Sequence, residues 1–296
     1  MRLHLVDGTY ELFRAHFSKR PGHTDPAGRD RKATVGVVWS MLGLLDDPDE
    51  RVTHVAVAFD NPIRSFRNDL FDGYKTDAGV PEEILAQFDA VEDAMRAIGV
   101  VTWSMKAWEA DDALATAAAR FRDAVEQVRI LTPDKDLGQC LRGDHVVQVD
   151  RMRRKVIDEA ALLAARGIAP AHVPDYLALV GDTADGIPGL RGFGEKTAAA
   201  LLRAYGSIDA IPQRAADWSV SVRGAESLAA VLSAELENAR LYRRLATLVE
   251  DVPLRESLDD LRWRGLPIAD FAAWCDAIGA PRDLRSRLER PRLDNS

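Results

Sequence analysis

The sequence predicts an α/β fold in its first half, with a mainly parallel sheet flanked by helices, and a helical second half. The sheet is predicted because short apolar segments of strand length alternate with longer helix-like segments. After about Asp158, strand patterns fade and Ala- and Leu-rich segments with helical spacing take over, separated by Gly and Pro. The predicted strands are Leu3 to Val6, Val55 to Phe59, Val128 to Leu131 and His145 to Val149.

Composition leaves both enzymes and nucleic-acid binders open. The 296 residues can bury one large core or two moderate ones. A net charge of -8 argues, taken alone, against a nucleic-acid partner. Nine of the 47 acidic residues lie in short clusters, however, and the remaining 38 nearly balance the 39 basic residues. Basic faces can therefore coexist with an acidic pocket.

The chain lacks the marks of a secreted or membrane protein. Cys140 and Cys275 are isolated, so neither a disulfide framework nor a zinc site is indicated. The opening segment MRLHLVDG has no signal-peptide pattern, because Asp7 interrupts its apolar run, and no apolar stretch is long enough to span a membrane. We therefore expect a cytoplasmic protein.

The most informative feature is the set of clustered acids. Three of them directly follow predicted strands, at the edge where open α/β sheets place their sites. Carboxylates gathered this closely repel one another, and hard cations such as Mg²⁺ or Mn²⁺, which prefer oxygen ligands, would allow them to stay ionised together. The pattern therefore predicts a divalent-metal site. The nine acids are Asp7, Asp60, Glu109, Asp111, Asp112, Asp134, Asp136, Asp182 and Asp185.

Each cluster also has a structural explanation when it is considered alone. The acids of WEADD lie in the first turn of a predicted helix, where they would complement the helix dipole. Asp7 before Gly8 and Asp60 before Asn61 are typical of turns. No single one of these clusters decides between a site and a solvated surface.

Two later segments carry sharper signals. In TPDKD, acids on either side of Lys135 follow a strand and can point toward one place above the sheet, although a solvated turn or an aspartyl phosphotransferase motif would look similar. The phosphotransferase reading is weak, because that motif belongs on a first strand. In GDTAD, Asp182 and Asp185 are three residues apart, so a helical turn would place both on one side.

The glycine-rich segment GLRGFGEKT predicts a tight turn before the helix Glu195 to Tyr205. Backbone N–H groups at such a turn can hold a phosphate. The spacing does not match a nucleotide P-loop, because Glu195 separates Gly194 from Lys196, so a nucleoside triphosphatase is not indicated. A plain turn between two packed helices remains the alternative.

Six segments, in this order, resemble motifs of the bacterial 5′-nuclease and flap endonuclease family. That family includes the N-terminal nuclease domain of DNA polymerase I and free-standing 5′-3′ exonucleases. The resemblance covers nearly the whole chain, and we expect the free-standing form because no polymerase segment follows. The segments are LVDGTYELFRAHF, VAFDNPIRSFRNDLFDGYK, WEADDALA, LTPDKDLGQCL, GDTADGIPGLRGFGEKTAAALL and LATLVEDVPL.

The resemblance implies a PIN-like nuclease core over residues 1–165 and a helical DNA-binding region over 166–296 with a helix-three-turn-helix. It implies hydrolysis of DNA phosphodiesters at 5′ ends and flaps, in replication or repair, with two or three Mg²⁺ or Mn²⁺ ions. It further implies K⁺ at the helix-three-turn-helix and a monomer that binds DNA with 5′ ends, flaps or nicks. Protein partners are not indicated.

By motif position, the resemblance also implies roles for individual residues. The first metal group would be Asp7, Asp60, Glu109, Asp111 and Asp112, and the second Asp134, Asp136, Asp182 and Asp185. The reactive phosphate would be engaged by Arg14, Arg67 and Lys75, and the terminal base would stack on Tyr74. The duplex backbone would be held by Gly192, Gly194 and Lys196.

The chain departs from these relatives at two places. Ala78 replaces a basic residue of the YKxNR motif, which weakens the expectation of strong 5′-end capture, and Gly186 stands where relatives often carry Asn. Ala78 is the one feature that favours a non-catalytic binder of branched DNA, which the complete acidic set disfavours. A PIN-type ribonuclease is the other rival, but it would have no use for GLRGFGEKTAAALL.

Overall fold

The computed structural model describes residues 1–289, and a six-stranded sheet forms the centre of the first half. The strands are β1 (Arg2–Asp7), β2 (His54–Asp60), β3 (Val101–Met105), β4 (Gln127–Leu131), β5 (Val146–Asp150) and β6 (Lys155–Ile157). They lie in the order β3-β2-β1-β4-β5-β6, with β6 antiparallel to β5 and the other neighbours parallel. The predicted mainly parallel sheet is confirmed.

Helices cover both faces of this sheet because alternate residues of its strands point to opposite sides. Val6 of β1 packs into a core with Met41, whereas Leu5 packs into a second core with Leu114. Both faces of β1 are therefore buried, and the mainly apolar segment Leu3 to Val6 lies within it. The helices of this half are α1 (Gly8–His16), α2 (Lys32–Leu45), α3 (Arg67–Leu70), α4 (Glu82–Leu85), α5 (Phe88–Ala97) and α6 (Ala110–Phe121).

The second half is helical, as predicted, and has a core of its own. Its helices are α7 (Glu159–Arg166), α8 (Val173–Val180), α9 (Glu195–Tyr205), α10 (Ala225–Ala234), α11 (Leu236–Ala246), α12 (Ile268–Ile278) and α13 (Arg282–Arg285). Leu177 of α8, Leu201 of α9 and Leu245 of α11 meet in this core. The turn between α8 and α9 carries the glycine-rich segment of the sequence.

The end of the described chain returns to the first half. Phe271 and Cys275 of α12 and Leu284 of α13 belong to the same core as Val6. The helices beyond residue 267 therefore pack with the α/β core. The predicted boundary at residue 165 does not separate the residues of this core from the rest of the chain. Over residues 1–289, no helix combines the length and the apolar character needed to cross a membrane.

Candidate metal centre

The carboxyl ends of β1 and β2 hold the first two predicted acids. Asp7 ends β1 and caps α1: its Oδ1 accepts a hydrogen bond from the Tyr10 N–H at 2.8 Å, and its Oδ2 accepts one from the Thr132 hydroxyl at 2.9 Å. Asp60 ends β2, and its Oδ1 accepts a hydrogen bond from the Ala110 N–H at 2.7 Å. Backbone N–H groups in the first turns of α1 and α6 thus orient both carboxylates at one edge of the sheet.

Glu109 begins α6 and lies between hydroxyl and ammonium donors. The Ser65 hydroxyl donates to its Oε1 at 2.7 Å, and Lys75 Nζ lies 2.8 Å from its Oε2. Burial alone would raise the pKa of Glu109, but the charges of Lys75 and Arg67 outweigh burial and lower it to about 2. Glu109 is therefore ionised throughout the range in which proteins are usually assayed.

The second predicted group contains three carboxylates that converge. Asp136 follows β4, and Asp182 and Asp185 lie in the turn after α8; one ligand oxygen from each lies within 4.8 Å of the others. The three-residue spacing of Asp182 and Asp185 had suggested a helical turn, but this turn is not helical. Instead, mutual backbone hydrogen bonds of 2.7 Å between Asp182 and Ile187 close it.

One oxygen of this group is buried without a protein partner. Asp136 is 4% exposed, and within residues 1–289 its Oδ1 accepts no hydrogen bond. Burial, reinforced by the negative charges of Asp134, Asp185 and Asp182, raises the pKa of Asp136 well above its ordinary value. A buried carboxylate oxygen without a donor is costly, and a bound cation would relieve that cost.

Burial and neighbouring negative charges also raise the pKa values of two acids in the first group. Burial raises the pKa of Asp7 to about 7, and the charges of Asp60 and Asp134 add to this effect. Burial also raises the pKa of Asp111 well above its ordinary value, and the negative charges of Asp134 and Asp7 add to this effect. Asp134 therefore couples the two predicted groups, which form one continuous acidic site.

Lys75 contacts one carboxylate of each group. Its Nζ lies 2.8 Å from Glu109 Oε2 and 3.0 Å from Asp185 Oδ1. Its N–H donates to the Asp185 carbonyl at 3.0 Å, and its own carbonyl accepts from the Asn68 amide at 2.9 Å. Burial would lower the pKa of Lys75, but Glu109 and Asp185 raise it well above its ordinary value. Lys75 is therefore a charged group with 26% of its side chain open to solvent.

Arg67 does not have the position that its motif implied. Its side chain is 1% exposed, and each of its five N–H donors has an acceptor within the protein. The acceptors are Asp112 Oδ1 and Oδ2, both at 2.7 Å, Glu109 Oε1 at 3.1 Å, the Leu245 carbonyl at 2.7 Å and the Thr247 carbonyl at 3.0 Å. With no donor left, Arg67 cannot engage a phosphate in this structure; its side chain joins Glu109 and Asp112 to the backbone of residues 245 and 247.

The carboxylate of Asp112 is likewise fully hydrogen-bonded within the protein. Besides the two Arg67 bonds, its Oδ1 accepts from the Val249 N–H at 2.9 Å and its Oδ2 from the Glu109 N–H at 3.0 Å. Four donors therefore surround a carboxylate that is completely buried. Asp112 has no lone pair to offer a metal without losing one of these bonds. It positions Glu109 instead.

Tyr74 is enclosed by the protein, and Arg14 is hydrogen-bonded near the end of α1. Tyr74 is 4% exposed, and its hydroxyl donates to Glu109 Oε2 at 3.2 Å and to Asp185 Oδ2 at 3.4 Å, so its ring has no face free for a nucleobase. Arg14 lies near the end of α1, where it binds Glu11 and the Ser40 hydroxyl, the latter at 2.8 Å. Contact between Arg14 and a phosphate stays a prediction.

The three residues predicted to hold the duplex lie together at the start of α9. Gly194 caps this helix, and Gly192, Gly194 and Lys196 are all exposed. Gly192 and Gly194 lie in the turn after α8, which the GDTAD segment opens, and Lys196 lies in the first turn of α9. Their contact with DNA stays a prediction.

Several polar residues that orient the acids were not singled out from the sequence. Thr132 orients Asp7, and Ser65 orients Glu109, as described above; the Thr9 hydroxyl accepts the Asp60 N–H at 2.8 Å. Thr132 and Thr9 lie within two residues of an acidic cluster. That proximity is the sequence signal that could have identified them.

Gly186 has a steric reason to be glycine. Its φ is +75°, and a Cβ atom at this position would lie 2.1 Å from the Gly73 carbonyl oxygen. Any side chain at this position would therefore require the segment that contains Gly73 and Lys75 to move.

The sequence matches two family models that together cover most of the chain. Residues 2–167 match the 5′-3′ exonuclease N-terminal resolvase-like domain, and residues 168–268 match the 5′-3′ exonuclease C-terminal SAM fold. A 5′-3′ exonuclease of Aquifex aeolicus is 30% identical over 261 residues, covering 88% of this chain and 86% of that protein. DNA polymerase I of Rhizobium leguminosarum is 36% identical over 265 residues, but the chain spans only 26% of its length.

Solved structures agree with the fold. The T5 5′-exonuclease with bound zinc has a TM-score of 0.64 at 18% identity, with 97% of each chain covered. The catalytic core of Rad2 in complex with DNA has a TM-score of 0.59 at 13% identity, covering 97% of this chain and 91% of that one. The fold and the two family models agree with the motifs of the sequence, and the chain belongs to the 5′-3′ exonuclease family.

Proposed function

We propose that this protein is a divalent-metal-dependent, structure-specific 5′ nuclease that hydrolyses DNA phosphodiesters at 5′ ends and flaps during replication or repair in the cytoplasm. The observation that carries the proposal is the unpartnered Asp136 oxygen, buried beside Asp182 and Asp185. A site built in this way is incomplete without a cation. A binder of branched DNA that does not cleave would have no need for it.

The donor set fits Mg²⁺ or Mn²⁺. Its members offer oxygen atoms only, which hard divalent cations prefer, and histidine and cysteine are missing from both groups. When bound, such ions would supply positive charge to the phosphate and lower the pKa of the attacking water. We assign the first ion to Asp7, Asp60, Glu109 and Asp111, and the second to Asp134, Asp136, Asp182 and Asp185.

The protein's own groups then have separate tasks. Thr132 and the Tyr10 N–H hold Asp7, and Ser65 holds Glu109, so these carboxylates are oriented before substrate binds. Lys75 is the cation that can stabilise charge on the phosphate, because its ammonium faces the acidic site and is partly exposed. Arg67 acts indirectly, by holding Glu109 and Asp112 in place.

Relatives support the proposal through what their names state. One T5 5′-exonuclease structure contains zinc, and a T5 flap endonuclease variant has been solved with DNA and metal ions. Division of the chain into a nuclease core, residues 1–165, and a DNA-binding region from residue 166 is supported by the two family models, which meet at residues 167 and 168. We also propose a monomer, and K⁺ at the turn between α8 and α9.

A cleavage assay tests the function directly. A 5′ flap, a nicked duplex, a single strand and a hairpin RNA would each be incubated with Mg²⁺, Mn²⁺ or a chelator. We expect cleavage of the flap and the nicked DNA with either metal and none with the chelator. Cleavage of the hairpin RNA alone would indicate a ribonuclease, and tight flap binding without cleavage would indicate a non-catalytic binder.

Divalent metal is expected to raise the thermal stability of the metal-free protein. Ions that bind only the native state stabilise it by about 2.7 kcal/mol at one hundred times their Kd, which is several degrees in Tm for a chain of this size. Calorimetry of the metal-free protein with increasing Mg²⁺ measures the effect. A constant Tm would show that the carboxylates do not form a metal site.

The metal-induced gain in Tm is expected to be larger at pH 8 than at pH 6. The pKa of Asp7 is about 7 in the folded protein, above the value of about 4 expected when unfolded, so its contribution to stability is present at low pH and is lost as the pH rises through 7. Bound Mg²⁺ compensates for the negative charge that then remains. An equal gain at both pH values would contradict this assignment.

Lys196→Ala is expected to weaken duplex binding and to reduce its dependence on salt. Each phosphate contact that is lost lowers the slope of log K against log salt by about 0.9. Binding of a duplex without a flap would be measured by fluorescence anisotropy at several KCl concentrations, with the equally exposed Lys106→Ala as the control. An unchanged slope in Lys196→Ala would remove this residue from the DNA interface.

A further inference from the structure

The second carboxylate group contains a positive charge for which the proposed reaction has no use. Lys135 follows Asp134 and precedes Asp136, and its Nζ lies 2.9 Å from Asp182 Oδ2. About a third of its side chain, 34%, is exposed. An ammonium group therefore contacts a carboxylate that the proposed function assigns to a divalent ion.

Lys135 neutralises only one member of the group. Asp182 accepts two hydrogen-bonding contacts, from Lys135 at Oδ2 and from the Ala184 N–H at Oδ1, the latter at 3.1 Å. Asp136, by contrast, keeps its unpartnered Oδ1. The two carboxylates face the same small space, so a cation that enters to satisfy Asp136 also meets the ammonium of Lys135.

Simultaneous binding of Lys135 and a divalent ion to Asp182 is electrostatically unfavourable. Two like charges a few ångströms apart repel each other by about 1 to 4 kcal/mol in surroundings between water and a protein surface. The Lys135 side chain is long, flexible and partly exposed, so it can move toward solvent when a more strongly bound cation arrives. Its contact with Asp182 can therefore be exchanged for a metal contact.

We propose that Lys135 is an internal counter-cation that occupies Asp182 in the metal-free enzyme and sets the affinity and selectivity of the second ion site. A divalent ion displaces it, because its higher charge interacts with all the carboxylates of the group. A monovalent ion does not, because it offers the group no more charge than Lys135 already supplies. The inference rests on the proposed metal-dependent function and concerns one residue within that site.

The test is a calorimetric titration of metal-free protein with Mn²⁺, comparing wild type, Lys135→Gln and Lys135→Arg. Lys135→Gln is expected to bind Mn²⁺ about tenfold more tightly, since removing one nearby unit charge changes binding by about 1.4 kcal/mol or more. Lys135→Arg, which keeps the charge, is expected to resemble wild type. Lys155→Gln on the exposed strand β6 controls for the change in net charge.

Selectivity and folding are tested with the same proteins. Adding KCl, compared with choline chloride at equal ionic strength, is expected to weaken Mn²⁺ binding more in Lys135→Gln than in wild type. The metal-free Lys135→Gln is expected to melt at a lower temperature and to gain more on Mn²⁺ addition. This measurement remains informative even if the variant folds poorly without metal.

The possible outcomes separate this inference from the proposed function. Equal or weaker Mn²⁺ affinity in Lys135→Gln would overturn the role of Lys135 while leaving metal-dependent hydrolysis intact. Tighter binding in Lys135→Arg to the same extent as in Lys135→Gln would also overturn it, because charge would not be the cause. A wild-type protein that takes up no Mn²⁺ would overturn the proposed function itself, and this inference with it.

Discussion

Asp136→Asn is expected to reduce cleavage of a 5′ flap by more than a hundredfold while flap binding is retained or becomes tighter. Replacing residues that merely orient a metal ligand commonly costs 10- to 100-fold, so removal of a ligand itself should cost more. The change also removes one negative charge from a site that must accept phosphate. Loss of cleavage without loss of binding would identify Asp136 as part of the chemistry.

The measurement is a single-turnover rate at saturating enzyme, together with flap affinity in the presence of Ca²⁺. Asp144→Asn, an exposed acid away from the site, is the matched control and should cleave at the wild-type rate. Because amide and carboxylate have nearly the same size, the structure of Asp136→Asn should be preserved. A wild-type rate in this variant would remove the second ion from the mechanism.

Arg67→Met is expected to destabilise the protein by about 3 to 5 kcal/mol, the usual cost of breaking a buried ion pair by removing one partner. The completely buried Asp112 would lose its ion-pair partner, and the carbonyls of Leu245 and Thr247 would lose their donors. Glu109 would also lose a counter-charge. Activity should fall with stability, because the start of α6 carries both Glu109 and Asp111.

Urea unfolding measures this loss, with Arg64→Met as the control, since Arg64 is exposed and its contact with Asp69 is long. The double variant Arg67→Met/Asp112→Leu separates the cost of leaving Asp112 unpaired from the cost of the other lost hydrogen bonds. It should be more stable than Arg67→Met, because no unpaired charge is left inside. A loss below 1 kcal/mol in Arg67→Met would show that Arg67 is not the structural link described here.

The sequence predicted the strands that are buried on both faces and missed those that are not. β1, β2 and β4 each contain a short, mainly apolar segment that is buried, and the acids follow the ends of these segments. The sequence does not predict the edge strand β3, because the half-buried Thr102 and Ser104 interrupt its apolar pattern. β6 has only three residues, two of them exposed, so its pairing with β5 has no local signal.

The roles of Arg67, Tyr74 and Asp112 could not be derived from sequence for a different reason. A motif shows which residues stand near a site, but burial depends on segments far away in the chain. Arg67 is enclosed by carbonyls of residues 245 and 247, which lie about 180 residues further along. The segment LATLVEDVPL, noticed only as a resemblance, supplies these carbonyls and the Val249 N–H. Its backbone thus surrounds Arg67 and Asp112 beside the acidic site.

The backbone contact between Gly73 and Gly186 makes the spacing of the site independent of side chains. Lys75 follows Gly73 by two residues and Asp185 precedes Gly186, so this contact and the bond from the Lys75 N–H to the Asp185 carbonyl join the two segments main chain to main chain. Asp77 and Ala78 are exposed and take no part in these two contacts, so substitution of either should leave the position of Lys75 unchanged. The surface of this segment is thus free to vary while the geometry of the acidic site is kept.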